Sequence, residues 1–84
     1  MTNVTDVKTE LGRVIKGLRN KQAITQEELA AKALLHRTYV SDIERGARNP
    51  SLETLVRLAE ALQIPLAEIF RETEAVRQTR IPPQ

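Results

Sequence analysis

Apolar residues recur at helical spacing along most of the chain, and nowhere do they alternate in the two-residue rhythm of a strand. Leu11, Val14, Ile15 and Leu18 follow an i, i+3, i+4, i+7 pattern, which predicts a helix over 6–21 that Thr5 or Asp6 can cap. Gly12 and Gly17 weaken its local propensity, so packing must hold it. Thr25 and Glu28 have capping-box spacing and open a second helix, 25–33, with Leu29, Ala30 and Ala33 on its inner face. A third helix, 36–46, ends at Gly46. Pro50 blocks its continuation, and Ser51 caps a fourth helix, 51–62, which carries Leu52, Leu55, Val56, Ala59 and Leu62 on one side with Leu58 adjoining. Pro65 suits the first turn of a fifth, 65–72. The expectation is an all-α domain over 1–72, followed by a polar tail, 73–84, that ends in Pro-Pro and is flexible or ordered by a partner.

The third helix is unusual in composition. Val40, Ile43 and Ala47 fall on one side of its wheel, and Thr38, Ser41, Asp42 and Arg45 fall opposite. Arg37 and Tyr39 flank its start. Such a narrow apolar face does not need so many short donors and acceptors merely to meet water. The joint to the preceding helix is two or three residues long, Ala30 permits close approach, and Val40 and Ile43 point into the crevice. This is a helix-turn-helix arrangement, whose second helix can enter the major groove of double-stranded DNA. There arginine can bridge guanine O6 and N7, threonine can touch a thymine methyl, and aspartate can accept from cytosine N4. Arg37, Thr38, Ser41 and Asp42 are therefore the candidate base readers. Gln26 at a helix start, His36, Tyr39, Arg45, Arg48 and Asn49 are the candidate phosphate contacts. Asp42 has a second reading, as a carboxylate that only orients Arg45 or another arginine.

Composition narrows the alternatives. The 84 residues suffice for one small core but not for a deep substrate cavity as well. There is no cysteine, hence no disulfide and no thiolate metal site, and the lone His36 cannot make one. No paired acid and base, nucleophile–histidine set or phosphate-binding glycine loop is present, so neither an enzyme nor a cofactor is expected. At 2% aromatic residues, single-strand binding by base stacking is disfavoured. No apolar run approaches the ~18 residues of a membrane span, and the start lacks a signal pattern, so a cytoplasmic protein is expected. Net charge is only +2, so the arginines around the third helix matter more than the total.

The stretch from Thr25 to Leu62, with Gln26, Ala30, Val40, Ile43, "IERG" and "NPSLETL", resembles the phage-repressor (xenobiotic-response-element) helix-turn-helix family over about Leu11 to Phe70. "LHRTYVSDIERG" further resembles the controller proteins of bacterial restriction–modification systems. The resemblance implies a compact five-helix repressor-like domain, a homodimer on palindromic operators, and control of its own gene and a linked endonuclease gene. It also implies that Arg19 and Glu44 form a structural pair between the first and third helices. Ile64, Leu66, Ile69 and Phe70 could simply close the core; the resemblance suggests that part of the set forms a dimer contact. One departure stands out. The family often has glycine at the turn, where this chain has Leu34, which either imposes another geometry or costs roughly 1–2 kcal/mol that packing must offset. Glu27 and Glu28 read as capping and dipole residues, or alternatively as a patch for RNA polymerase. The rival function is an antitoxin-type interaction protein whose tail, Ala75 to Gln84, folds on a toxin.

Overall fold

The computed structural model describes residues 4–80. Five helices follow one another: α1 (Val4–Lys21), α2 (Gln26–Ala33), α3 (Arg37–Glu44), α4 (Leu52–Leu62) and α5 (Leu66–Arg80), with no strand among the described residues. α1 packs on α3 and α5, α2 on α3 and α4, and α4 on α5. Leu11, Val14, Ile15 and Leu18 of α1 meet Leu29, Ala30 and Ala33 of α2, and Val40 and Ile43 of α3. Leu55, Leu58, Ala59 and Leu62 of α4 and Ile69 of α5 close the same core. Gly12 explains how α1 can lie so near the end of α3. A Cβ at Gly12 would stand 2.3 Å from the Ile43 carbonyl oxygen.

The predicted caps form. Thr25 Oγ1 accepts from the Glu28 N–H at 3.0 Å, and the Glu28 carboxylate accepts from the Thr25 N–H at 2.7 Å. Hydrogen bonding from the Thr25 backbone N–H, and next from the Thr25 side chain, holds the Glu28 carboxyl below its ordinary range. Ser51 caps α4 by accepting from the Thr54 N–H.

Four helix ends close in the same way. The N–H of Ile24, Leu35, Ala47 and Ile64 each reaches back five residues to a carbonyl, and the residue before each adopts a left-handed conformation. These are Schellman ends. Only one of the four left-handed residues is glycine; the others are Ala23, Leu34 and Gln63. Space accounts for the difference. A Cβ at Gly46 would lie 2.9 Å from Thr9 Cα, whereas Ala23, Leu34 and Gln63 are exposed. Leu34 thus takes the left-handed geometry (φ 58°) with its side chain 78% exposed, so no packing within this chain offsets the strain.

Several expectations are corrected. α1 begins at Val4, so Thr5 and Asp6 lie inside it. α2 to α5 each start one residue later than the pattern suggests, with Thr25, His36 and Ser51 as N-caps, and α3 stops at Glu44. Ala47 follows the left-handed Gly46, leaves the helical wheel and is exposed. On α4, Leu52 (65%) and Val56 (37%) face outward, and the buried stripe runs instead through Leu58. The largest difference is α5, which continues through 73–80. Thr73 is buried, with its hydroxyl donating to the Ile69 carbonyl at 2.8 Å, and Val76 packs against the core. Arg77 Nε stands 3.7 Å from the buried Glu10 carboxylate of α1. The part of the expected tail from Thr73 to Arg80 is therefore part of the fold, and this includes the start of the segment assigned to a toxin; 81–84 lie outside the described residues.

The strained ends give a stability test. Leu34→Gly relieves the left-handed strain and should raise unfolding free energy by up to about 1 kcal/mol. Gly46→Ala should lower it by more than about 1 kcal/mol, because it adds strain and a clash with Thr9. Urea unfolding of the two variants checks the pair of signs.

Candidate nucleic-acid interface

The interface is built outward from one buried ion pair. Glu44, the last residue of α3, is 8% exposed and Arg19 of α1 is 9% exposed. Arg19 Nε donates to Glu44 Oε2 at 2.7 Å and Nη2 donates to Oε1 at 3.0 Å, while Nη1 donates to the Ile24 carbonyl at 2.9 Å. The bonds to Glu44 raise the Arg19 pKa further, against the opposing effect of burial. Glu44 Oε1 also accepts from Gln26 Nε2 at 3.0 Å. One carboxylate therefore ties α1, the start of α2 and the end of α3 together. Gln26, expected at a phosphate, uses one amide N–H inside this network; a second amide N–H and its carbonyl oxygen remain.

With Val40 and Ile43 buried beneath, α3 turns its polar side outward. Arg37 and Thr38 are exposed, and Ser41 and Tyr39 are half-buried. His36 is the N-cap residue, and its side chain makes no capping bond. The α3–α4 segment folds back on the helix: the Asp42 carboxylate pairs with Arg45 through one oxygen and accepts from Arg48 Nη2 at 3.2 Å through the other. The Arg48 guanidinium also lies over the Tyr39 ring, 4.6 Å from its centroid. Two arginines expected at phosphates are thus gathered at one carboxylate expected at a base. Asn49 is exposed beside them.

Two groups had no assignment to the DNA-reading face or the dimer contact. Glu27 of α2 stands 3.1 Å from Arg37 Nε, both side chains being more than half exposed. With Glu28 engaged in the capping box, both carboxylates suggested for a polymerase contact already have partners within the chain. Leu52 and Val56 form an exposed apolar pair one turn apart on α4; the excess of apolar positions on that helix was the available signal. Of the four residues expected at a dimer contact, Ile69 is fully buried and belongs to the core. Ile64 and Leu66 are half-buried against it, and Phe70 is 45% exposed. Phe70 lines a shallow pocket of about 180 Å³ with Leu11, Pro50 and Leu55. No cluster able to hold a metal ion occurs among the described residues, and no helix there is long and apolar enough to cross a membrane.

The network should behave as a structural lock. Glu44→Ala leaves the Arg19 guanidinium buried without its partner and should cost about 3–5 kcal/mol. Gln26→Ala removes one hydrogen bond at the rim and should cost about 0.5–1.5 kcal/mol. Equal costs in urea unfolding would show that the ion pair does not dominate.

Residues 15–69 match the helix-turn-helix family. The chain is 43% identical over 68 residues to the immunity repressor protein of Bacillus phage phi105, covering 81% of this chain but only 47% of that protein. It is 40% identical over 72 residues to control protein C.MunI of Mycoplasma sp, covering 84% of this chain and 97% of that one. Among solved structures, the restriction-modification controller protein C.AhdI from Aeromonas hydrophila superposes with a TM-score of 0.73 at 40% identity, over 74% of this chain and 94% of that one. The buried face of α3 and its exposed polar side are thus those of a DNA-binding regulator: the chain belongs to the helix-turn-helix family and is related to the controller proteins of restriction–modification systems.

Proposed function

We propose that the protein is a sequence-specific transcriptional regulator that binds an inverted-repeat operator as a homodimer and controls restriction–modification genes together with its own. The observation that carries this reading is the exposed polar side of α3, held at a set angle by the Arg19–Glu44–Gln26 network beneath it. The near-complete overlap with a control protein of similar length supports the narrower assignment.

In this reading Arg37, Thr38 and Ser41 face base edges, and the free N–H groups where Gln26 opens α2 lie near a phosphate. Gln26, His36, Tyr39, Arg45, Arg48 and Asn49 bound that face and contact the backbone. Asp42 is assigned to holding Arg45 and Arg48 rather than to reading cytosine, since both its oxygens already have guanidinium partners. A carboxylate there lowers the cost of bringing two cations together before DNA arrives.

The dimer contact is assigned to Leu52, Val56 and Phe70, with Ile64 and Leu66 at its edge. Large exposed apolar side chains on α4 and α5 mark an interaction surface that uses no residue of α3. A two-fold pair requires an operator with the same symmetry, its half-sites about one helical turn (~34 Å) apart.

Selection from a random duplex library tests this reading. Wild-type protein should enrich an inverted repeat, and its affinity should fall with salt at a log–log slope of about −0.9 per phosphate neutralised. Leu52→Ser with Phe70→Ser should stay folded by circular dichroism, sediment as a monomer at micromolar concentration and bind the full repeat no better than a half-site. A wild-type monomer that binds half-site and repeat equally would overturn the dimeric mechanism, and a flat salt dependence would overturn the phosphate-anchored one.

A further inference from the structure

The pairing of Arg37 with Glu27 contributes little to holding the fold together. Exposed ion pairs contribute little to stability, and this one joins side chains that are 58% and 66% exposed. Glu27 lies in the first turn of α2, where the helix dipole favours an acid. That explains a carboxylate at this position, but not why it reaches across to the next helix.

The start of α3 supplies the reason. Arg37 is its first residue, so a cation sits at the positive end of a helix, where it is disfavoured. α3 has no acid of its own in its first turn, and its N-cap side chain makes no capping bond. Glu27 brings the missing negative charge from α2. It does so through Arg37 Nε, at 3.1 Å. A guanidinium carries five N–H donors, of which Nε has one. The closest approach is made by Nε, and the terminal Nη1 and Nη2 pair is the fork that fits guanine O6 and N7.

We propose that Glu27 is a specificity-determining residue of the DNA-reading surface, holding Arg37 for a base edge and withholding it from phosphates. This rests on the DNA-reading function proposed above. Arbitrary DNA is bound by phosphate attraction alone, so a carboxylate at this face penalises it fully. The cognate sequence returns directed hydrogen bonds to the held fork, which offset part of that penalty. Glu27 thereby lowers affinity for all DNA while widening the gap between the right sequence and the rest. Because Glu27 touches Arg37 and not the base, it is a positioning residue, and its effect must run through Arg37.

Four proteins test this: wild type, Glu27→Gln, Arg37→Ala and the double variant, each confirmed folded by thermal melting. The probes are a duplex enriched from a random library by the wild type and a scrambled duplex of equal length. Arg37→Ala identifies the base position that Arg37 reads. Glu27→Gln should reduce preference at that same position by about tenfold. It should also tighten binding to the scrambled duplex and steepen its salt dependence by about one phosphate. In the Arg37→Ala background, Glu27→Gln should leave base preference at that position unchanged. The proposal is overturned if Glu27→Gln tightens both duplexes equally and retains every base preference, for then Glu27 is a simple repulsive charge. It is equally overturned if the change in preference persists without Arg37. A wild-type selection that enriches no sequence overturns the DNA-reading function, and this role with it.

Discussion

The Glu44 carboxylate is the constraint on which the rest of the surface depends. It is buried, so it must be matched, and three groups match it: two N–H donors of Arg19 and one of Gln26. The donors come from two helices, α1 and α2, and the carboxylate itself ends α3. An apolar core alone would hold α3 against α1 and α2, but apolar contacts are non-directional and tolerate small rotations. A bidentate guanidinium does not, since both N–H···O bonds need one orientation. Such a pair adds little net stability over apolar replacements, and its advantage lies in fixing one arrangement. For a helix that must present side chains in register with base pairs, that advantage is the relevant one.

Close approach is the second condition, and it comes from small residues. Gly12 admits the carbonyls at the end of α3, Ala30 and Ala33 lie buried on the inner face of α2, and Gly46 lets the chain pass Thr9. The Schellman ends show how local strain is distributed around this arrangement. Where the left-handed residue is crowded, glycine occupies it; where it is open to solvent, alanine, leucine and glutamine do. Leu34 therefore departs from a common pattern without altering the turn, because the turn dictates φ and leaves the side chain in water. The strain is local and the geometry is retained.

Much of this was legible from the pattern of residues. The helices, the capping box and the tight joint before α3 follow from apolar spacing and from Thr25, Glu28, Gly46 and Ser51. The burial of Val40 and Ile43 also follows from spacing. The pairing of Arg19 with Glu44 does not, because 25 residues separate them; it was available only by resemblance to a family. Elsewhere apolar spacing misled. On α4 seven apolar residues nearly encircle the helix, and only packing decides that Leu58 is buried while Leu52 and Val56 are not. Ile69 and Phe70 belong to one late apolar group in the sequence, yet adjacent helical residues face about 100° apart, and only Ile69 enters the core. The second half of α5 was read as tail because its inward positions include Thr73 and Arg77. Both are polar, yet Thr73 is accommodated within its own helix by the Ile69 carbonyl four residues back, and Arg77 by Glu10 of α1, a partner that appears only in three dimensions.

The charged residues of the candidate site illustrate a further limit. Residue types alone allowed each of Arg37, Asp42, Arg45 and Arg48 a separate contact with DNA. In the folded chain they are arranged as two assemblies, Glu27 with Arg37 and Asp42 with Arg45 and Arg48, the latter also stacked on Tyr39. Each assembly places a carboxylate beside the cations that DNA would attract. That arrangement is unfavourable for maximal affinity, since phosphate binding scales with the number of cations released to it. It is favourable for discrimination, since a guanidinium already bonded on one side has fewer ways to satisfy itself on an arbitrary backbone. A net charge of only +2 is consistent with the same balance. In the function proposed above, affinity comes from geometry that the correct sequence can match at several points together, and from doubling the module, rather than from charge alone.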